Sequence, residues 1–486
     1  MFLIAIAAIF HPSQAIAQTN EFRGMWVDAW GAGFLDASQV TTLVNRCRAY
    51  NFNAIVVQMR RRGDAFYMPQ APNLEPRTTA IASNFDALQE IINQCHNGTP
   101  RIEVHCWVPT FLVGSSSSPN QANHVINVRP DILMKNFNGE TFIGEGYYLD
   151  PGNPDAQLWN YYMARDIVSR YDIDGFHWDY IRYPAQDAGY NDVAIARYNA
   201  EYELTGKPAP SDPLFAAWRR RQVTEFLRWV NADLLAIKPN LIISAAVFSN
   251  RSDAYNYRFQ DWAAWNEEGI IDICMPMTYT PDNSIFLSRI NDAFNNQGVR
   301  RVYVGPGAYM NTKENTITQL NYVRSKPFLG SVLYSYRVPN SGTVNQTETL
   351  GYIHQQYQPT WVPTPPLPWK ANPTRGLIKG TVVMQGSSAP VYNAVVKISG
   401  PSSRQQTTEA HGKFAFFETL PGNYTVEAFI PGKDSVSKII TLAAGEIKTV
   451  DFTLSNADTT APIISDIQVT GVTDQSVRIS WQTDEP

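Results

Sequence analysis

The chain has 486 residues, 12% of them aromatic and 17% charged, with a formal net charge of -5 at pH 7. At roughly 150 residues per domain, this length predicts two or three domains, one of them large. Lysine and arginine are scattered rather than clustered, which argues against a nucleic-acid partner or a polybasic membrane surface, and no stretch has the length of a membrane span.

The apolar run Phe2 to Phe10, followed by Ala15-Ile16-Ala17 before Gln18, has the small-x-small pattern of a signal-peptidase site, although a basic n-region is missing. Residues 1–17 are therefore expected to be a signal peptide, and the protein to be secreted, extracellular or periplasmic. Short apolar runs then alternate with amphipathic segments. Strands are predicted at 22–30, 54–60, 101–111, 175–183, 241–249, 272–279, 302–309 and 330–338, with helical stretches between them. This α/β pattern predicts a (β/α)8 TIM barrel over 21–358, because eight such units favour closure over an open doubly wound sheet. No G-x-G-x-x-G turn follows the first strand, so no dinucleotide site is supported and no cofactor is expected. Two connections, 115–150 and 185–211, are longer than a barrel needs and leave the carboxyl ends of their strands, where loops build sites.

The segment TWVPTPPLPWKANPT predicts a stiff extended linker over 359–375. Beyond it, short alternating runs with Gly and Pro turns predict a small all-β sandwich at 376–455, tethered and separate from the site. Residues 461–486 read as the truncated start of a second β module. Cys47, Cys95, Cys106 and Cys274 lie far apart without metal-ligand spacing and are read as unpaired, buried small hydrophobes.

Chemistry concentrates in the stretch 174–184, DGFHWDYIRYP. His177, Asp179 and Ile181 share one face of the predicted strand, and Pro184 ends its ladder, so Asp179 lies near the carboxyl end. Glycoside hydrolysis needs two carboxyl groups. Asp179 is the first candidate and Asp64, after Gly63, the second; Asp28, Glu145 and Asp150 are the other strand-end acids. Arg60 or Arg62 can equally hold Asp64 as a structural ion pair. His105 and His177, both at inward parity, are candidates to bond substrate hydroxyls or orient Asp179. Trp26, Trp107 and Tyr279 are candidates for stacking on sugar rings, with Tyr180 and Arg182 flanking Asp179. A metal-dependent hydrolase using His105, His177 and Asp179 is an alternative, and a catalytically silent glycan-binding or adhesion module is another.

Taken together, the segments RGMWV (23–27), QMRRRGDAFY (58–67), EVHCW (103–107), YLDPG (148–152), DGFHWDY (174–180) and MPMTY (275–279) resemble the glycosyl-hydrolase-like family 10 proteins, in the family's order, from about Glu21 to Gln356. The resemblance implies a (β/α)8 barrel, export and cleavage of glycosidic bonds, with bacterial cell-wall glycan as the best-guess polysaccharide substrate. The 376–454 segment is similar to carboxypeptidase-regulatory-like domains, and the terminal WQTDEP resembles the start of a fibronectin type III domain; such modules imply spacing or cell-surface attachment. Many family members carry a second acid directly after the position of Asp179, where this chain has Tyr180. The stretch also differs from the D-G-x-D-x-D-x-E signature of family 18 chitinases. His177 and Ile181 stand where that signature has acids, which disfavours substrate-assisted chemistry.

Overall fold

The computed structural model describes residues 19–115, 121–455, 464–471 and 475–483, so the expected signal peptide lies outside the described residues. Eight parallel strand positions form one nearly closed sheet: β1 (Phe22–Val27), β2 (Ala54–Gln58), β3 (Glu103–Pro109), β4 (Gly175–Asp179), β5 (Ile242–Phe248), β6 (Ile273–Thr278), β7 (Arg301–Val302, continued by Gly305–Pro306) and β8 (Gly330–Tyr334). β8 pairs with β1, and the bridges Val304 to Ser331 and Gly307 to Tyr334 bring β7 against β8. The expected (β/α)8 barrel is thus present.

The helices after the strands are α1 (Ala37–Ala49), α2 (Ala87–Asn97), α3 (Pro154–Arg170), α4 (Pro213–Ile237), α5 (Trp262–Glu268), α6 (Asn283–Asn295), α7 (Lys313–Arg324) and α8 (Gln346–Gln356). Each begins at an Asp, Asn or Thr whose side chain accepts a hydrogen bond from a first-turn amide: Asp36, Asp86, Asn153, Asp212, Asp261, Asp282, Thr312 and Asn345. Those bonds satisfy amides that have no partner within the helix, so the local sequence itself marks where each helix starts.

Strand alternation sorts the core into two shells. Ile55 and Val57 of β2 face the helices, whereas Ala54 and Val56 join Phe22, Trp26, Trp107, Met275 and Val332 inside the barrel. Gly175 on β4 is required there by contact: a Cβ at that position would lie 2.0 Å from Nδ1 of His105.

Residues 376–454 form two facing four-stranded sheets around Ile378, Val396, Ile398, Phe416 and Val426, the sandwich that the sequence predicts. It is not merely tethered. Leu377, Ala415 and Phe417 belong to the same apolar core as the barrel helices. Asp233 of α4 is held by Lys379 at 2.6 Å and Lys413 at 2.7 Å, and Arg300 meets Glu418 at 2.6 Å. The proline-dense segment is extended, as expected, but it lies across the amino end of the barrel. The Glu21 amide donates to the Pro363 carbonyl (3.1 Å), Asn53 Nδ2 to the Val362 carbonyl (3.0 Å) and Trp369 Nε1 to Asp272 (2.6 Å). Truncation after Thr374 is therefore expected to lower the thermal midpoint by uncovering the Leu377, Ala415 and Phe417 contact, while changing turnover less than tenfold; calorimetry and a rate assay on the truncated chain check both.

All four cysteines are free and buried. Ile464–Thr470 and Arg478–Thr483 pair as an antiparallel hairpin with exposed Ile467 and Trp481, and Asp484 to Pro486 lie outside the described residues. Among the described residues, no helix is long and apolar enough to cross a membrane.

Candidate active site

All eight strand positions deliver side chains to one cavity of about 230 Å³ at their carboxyl ends. Trp26 and Trp30 come from β1 and the turn after it, Gln58, Arg61 and Arg62 from β2 and its hairpin, and Trp107, Pro109 and Leu112 from β3 and its extension. Asp179, Tyr180 and Arg182 come from the end of β4, Ala246 from β5, Met277 and Tyr279 from β6, Tyr309 from beyond β7 and Tyr334 from β8. Tyr279 and Tyr334 stack at 5.3 Å, and Tyr309 meets both edge-on.

Asp179 is the carboxyl group on this wall. It ends β4 and is 5% exposed. Trp107 Nε1 donates to its Oδ2 at 3.0 Å, the Tyr180 amide donates to its Oδ1 at 2.6 Å, and Arg182 Nη1 stands 3.5 Å from Oδ1. Burial nonetheless raises its pKa above the ordinary carboxylate value, against the pull of Arg182 and the two N–H donors; the nearby charge of Glu145 adds to the rise. A buried carboxyl inclined to keep its proton, facing an aromatic cavity, is suited to general-acid work. Tyr180 follows at φ 48° and Arg62 at φ 56°, both in the left-handed region that is costly for non-glycine residues, so backbone strain collects at the cavity wall.

Trp26, Trp107, Tyr180, Arg182 and Tyr279 thus meet Asp179 in one cavity. The other sequence candidates do not line it. Asp64 lies on the far arm of a tight hairpin (Arg60–Arg61 against Asp64–Ala65), hydrogen-bonded by Thr78. Arg60 is fully buried, ion-paired to Glu75 and donating to the carbonyls of Pro109 and Thr110 at 2.7 Å each, so it braces the end of β3. Asp150 is buried and accepts from the amides of Gly152 (2.8 Å) and Asn191 (3.2 Å), which makes it a turn anchor; burial pushes its pKa up to about 6. Asp28 lies behind the wall, bonded by the Trp30 amide, Arg337 and Ser335.

The two histidines are interior groups rather than substrate contacts. His105 is fully buried, its Nε2 3.1 Å from Glu103 and its ring against Phe22. His177 Nε2 lies 3.2 Å from Trp26 Nε1, which can only donate, so Nε2 is the acceptor and Nδ1 carries the proton toward Ser244 Oγ at 2.8 Å. Burial, with His105 nearby, holds its pKa well below the usual histidine value. Both rings lie below the cavity floor, and among the described residues no three His, Cys, Asp or Glu converge as a metal site, so the His105, His177 and Asp179 set has no common centre.

Residues 21–322, more than half of the chain, match the profile of the family described as Glycosyl hydrolase-like 10. The chain belongs to this family. Residues 377–455 match the carboxypeptidase regulatory-like domain. Glycosyl hydrolase DigH of Escherichia coli K12 is 26% identical over 250 residues, 47% of this chain and 55% of that protein, so the chain spans about half the length of that relative. Glycosyl hydrolase YngK of Bacillus subtilis is 24% identical over 454 residues, 84% of this chain and 85% of that one. Two solved structures share the fold. The PgaB glycoside hydrolase domain from Bordetella bronchiseptica has a TM-score of 0.50 at 14% identity, covering 65% of this chain and 94% of that one. Alpha-L-fucosidase isoenzyme 2 from Paenibacillus thiaminolyticus has a TM-score of 0.52 at 13% identity, covering 76% and 53%.

Within this glycosyl hydrolase-like 10 barrel, Trp30, Tyr309, Tyr334, Arg61 and Arg62 line the cavity without having been sequence candidates. The available signal was position: Trp30 and Tyr309 end predicted strands, Arg61 and Arg62 directly follow one, and Tyr334 lies within the predicted strand 330–338.

Proposed function

We propose that this chain is an exported glycoside hydrolase in which Asp179 protonates the leaving oxygen of a glycosidic bond. The observation that carries the reading is the buried Asp179 carboxyl, set among Trp26, Trp107, Tyr279 and Tyr334 at the carboxyl end of a barrel. The names of the DigH and YngK relatives support the same reaction class. We further propose an amino-sugar polysaccharide as substrate, with peptidoglycan glycan strands first and another cell-surface glycan second. Arg61 and Arg62 stack on the half-exposed Trp30, with guanidinium carbons 4.8 and 4.2 Å from the ring centroid; Arg61 Nη1 also donates to the Ala29 carbonyl at 2.6 Å, and the charge of Asp64 acts on both arginines. Two cations beside a ring platform suit a sugar that bears a carboxylate, as the lactyl ether of N-acetylmuramic acid does when no peptide is attached. The C-terminal modules would serve attachment at the cell surface.

The test is product release from purified glycan strands, with and without stem peptides. Arg62→Met is expected to raise KM for peptide-free strands roughly tenfold or more with little change in kcat, as loss of a charge-assisted contact implies. Binding without cleavage by the wild type would favour the silent glycan-binding reading. The sign of the pH dependence also follows. The acid works protonated, so kcat/KM should fall as pH rises through the Asp179 pKa, and that limb should lie above the ordinary carboxylate range.

A further inference from the structure

General-acid chemistry at Asp179 leaves a second group to be found, one that accepts the proton of the attacking water. Asp28 has both oxygens engaged: the Trp30 amide and Arg337 Nε bond Oδ1, and Ser335 Oγ bonds Oδ2. It is also 1% exposed, so water has no approach to it. Asp64 and Asp150 are occupied elsewhere, by Thr78 and by backbone amides.

Glu145 is placed differently. It lies on the long connection after β3, in the turn of the hairpin formed by Phe142–Ile143 and Gly146–Tyr148, whose second strand pairs with Leu112–Gly114. This small sheet extends β3 beyond the barrel and holds Leu112 on the cavity wall. Glu145 is exposed to solvent. Its Oε2 accepts from the Tyr180 hydroxyl at 3.0 Å and its Oε1 from the Tyr148 hydroxyl at 3.2 Å, so the carboxylate is aimed rather than free to swing. Tyr180 is the residue after Asp179, and its ring forms part of the cavity wall beneath the Arg182 guanidinium, 4.1 Å away. The charge of Glu145 is close enough to oppose ionisation of Asp179.

Resting on the hydrolase reading above, the geometry points to Glu145 as the general base of an inverting displacement, with Tyr180 as the spacer that sets its distance from Asp179. Glu145 is not itself part of the cavity lining; Tyr180, which is, bridges the two carboxyl groups, its amide bonding Asp179 and its hydroxyl bonding Glu145. Inverting enzymes hold their two carboxyl groups ~6.5–9.5 Å apart, which leaves room for a water between them, and retaining ones ~5–5.5 Å apart, so the configuration of the product decides the role. In the step, water forms its bond to the anomeric carbon from the face opposite the leaving group while its proton passes to Glu145. The bond from that carbon to the leaving oxygen breaks, and the oxygen takes its proton from Asp179. Asp179 ends as carboxylate and Glu145 as acid, and exchange with solvent water restores both. The two environments match the two roles: the acid is buried, and the base is open to the water it activates.

The test uses the full chain and peptide-free glycan strands purified from peptidoglycan. Proton NMR of freshly released reducing ends is expected to show the anomer opposite to that of the cleaved linkage. Glu145→Gln is expected to lower kcat at least roughly 10²-fold with glycan affinity retained, and to remove the acidic limb of the pH profile. Tyr180→Phe keeps the carboxylate and loses only its hydroxyl, so it should cost less than about tenfold and keep that limb. Azide added to Glu145→Ala should restore turnover with inverted configuration, a readout that a purely structural glutamate would not move. Retention of configuration overturns the proposal, as does Glu145→Gln with an intact acidic limb, or equal losses in Glu145→Gln and Tyr180→Phe. No cleavage by the wild type overturns the hydrolase reading itself, whereas cleavage with retention removes this assignment alone.

Discussion

Asp179→Asn is expected to lower glycan hydrolysis by roughly 10²-fold or more while leaving glycan binding measurable. Asparagine keeps the shape of the side chain but has no proton to give to the leaving oxygen. The aromatic wall from Trp26, Trp107 and Tyr279 is untouched, so affinity persists. The fold should tolerate the change. The new amide can accept from only one of the Trp107 and Tyr180 N–H groups that now bond the carboxyl, a loss of about 1–3 kcal/mol. Against that stands the removal of a buried ionisable group. Because the folded-state pKa of Asp179 is raised from 3.8, the stability linked to its protonation is full at low pH and is lost as pH rises through the folded value. Asparagine does not titrate, so the thermal midpoint of Asp179→Asn relative to wild type should climb as pH increases from about 4. Rates, calorimetric binding and midpoints at several pH values check the three statements together. Undiminished turnover would remove Asp179 from the reaction.

Arg60→Met is expected to have the largest effect on stability, about 3–5 kcal/mol by chemical denaturation. Arg60 and Glu75 form an ion pair with both side chains fully buried. Removing the guanidinium strands the Glu75 carboxylate, whose pKa burial already raises, and takes donors from the carbonyls of Pro109 and Thr110 and from Asn160 Oδ1. The penalty should shrink at low pH, where Glu75 takes up a proton. Arg60→Met combined with Glu75→Leu should recover much of the loss, since breaking a buried pair costs more than replacing it. Activity should also fall, because Pro109 is paired in register with Asp179 and lies two residues beyond Trp107. A loss under about 1 kcal/mol in Arg60→Met would show that the pair is not a structural brace.

The barrel was legible because eight short apolar runs alternate with amphipathic segments. Asp179 was legible because an acid before a strand-ending Pro184 conflicts with burial for stability alone. Parity correctly turned Trp107, His105, His177 and Asp179 inward, but it is silent about depth. His105 stands two residues before Trp107, about 6.6 Å lower along the strand, and that drop separates a packing layer from a cavity wall. Asp64 was misplaced for a local reason: Arg62 and Gly63 at φ 56° and 79° reverse the chain, so the strand never carries Asp64 to the rim. Trp30 and Tyr309 depend on loop paths set by contacts distant in sequence, whereas Tyr334 is the last residue of β8, which ends short of the predicted 338. Proline content revealed the stiffness of 360–374 but not its route.

That route has a mechanical meaning. A flexible tether would let the C-terminal modules swivel while transmitting little force. Here, tension applied through the sandwich is shared among Asp233 on α4, Arg300 near the start of β7, and the strap's bonds to Glu21, Asn53 and Asp272 around the amino end of the barrel. The strap's anchor points and Arg300 lie at the amino ends of the strands, opposite Asp179, while the sandwich also meets Glu201 through the Tyr392 hydroxyl, on the connection that leaves β4. Load passed between the sandwich and the barrel therefore enters mostly at the base of the barrel, and reaches the cavity side along the connection that carries Glu201.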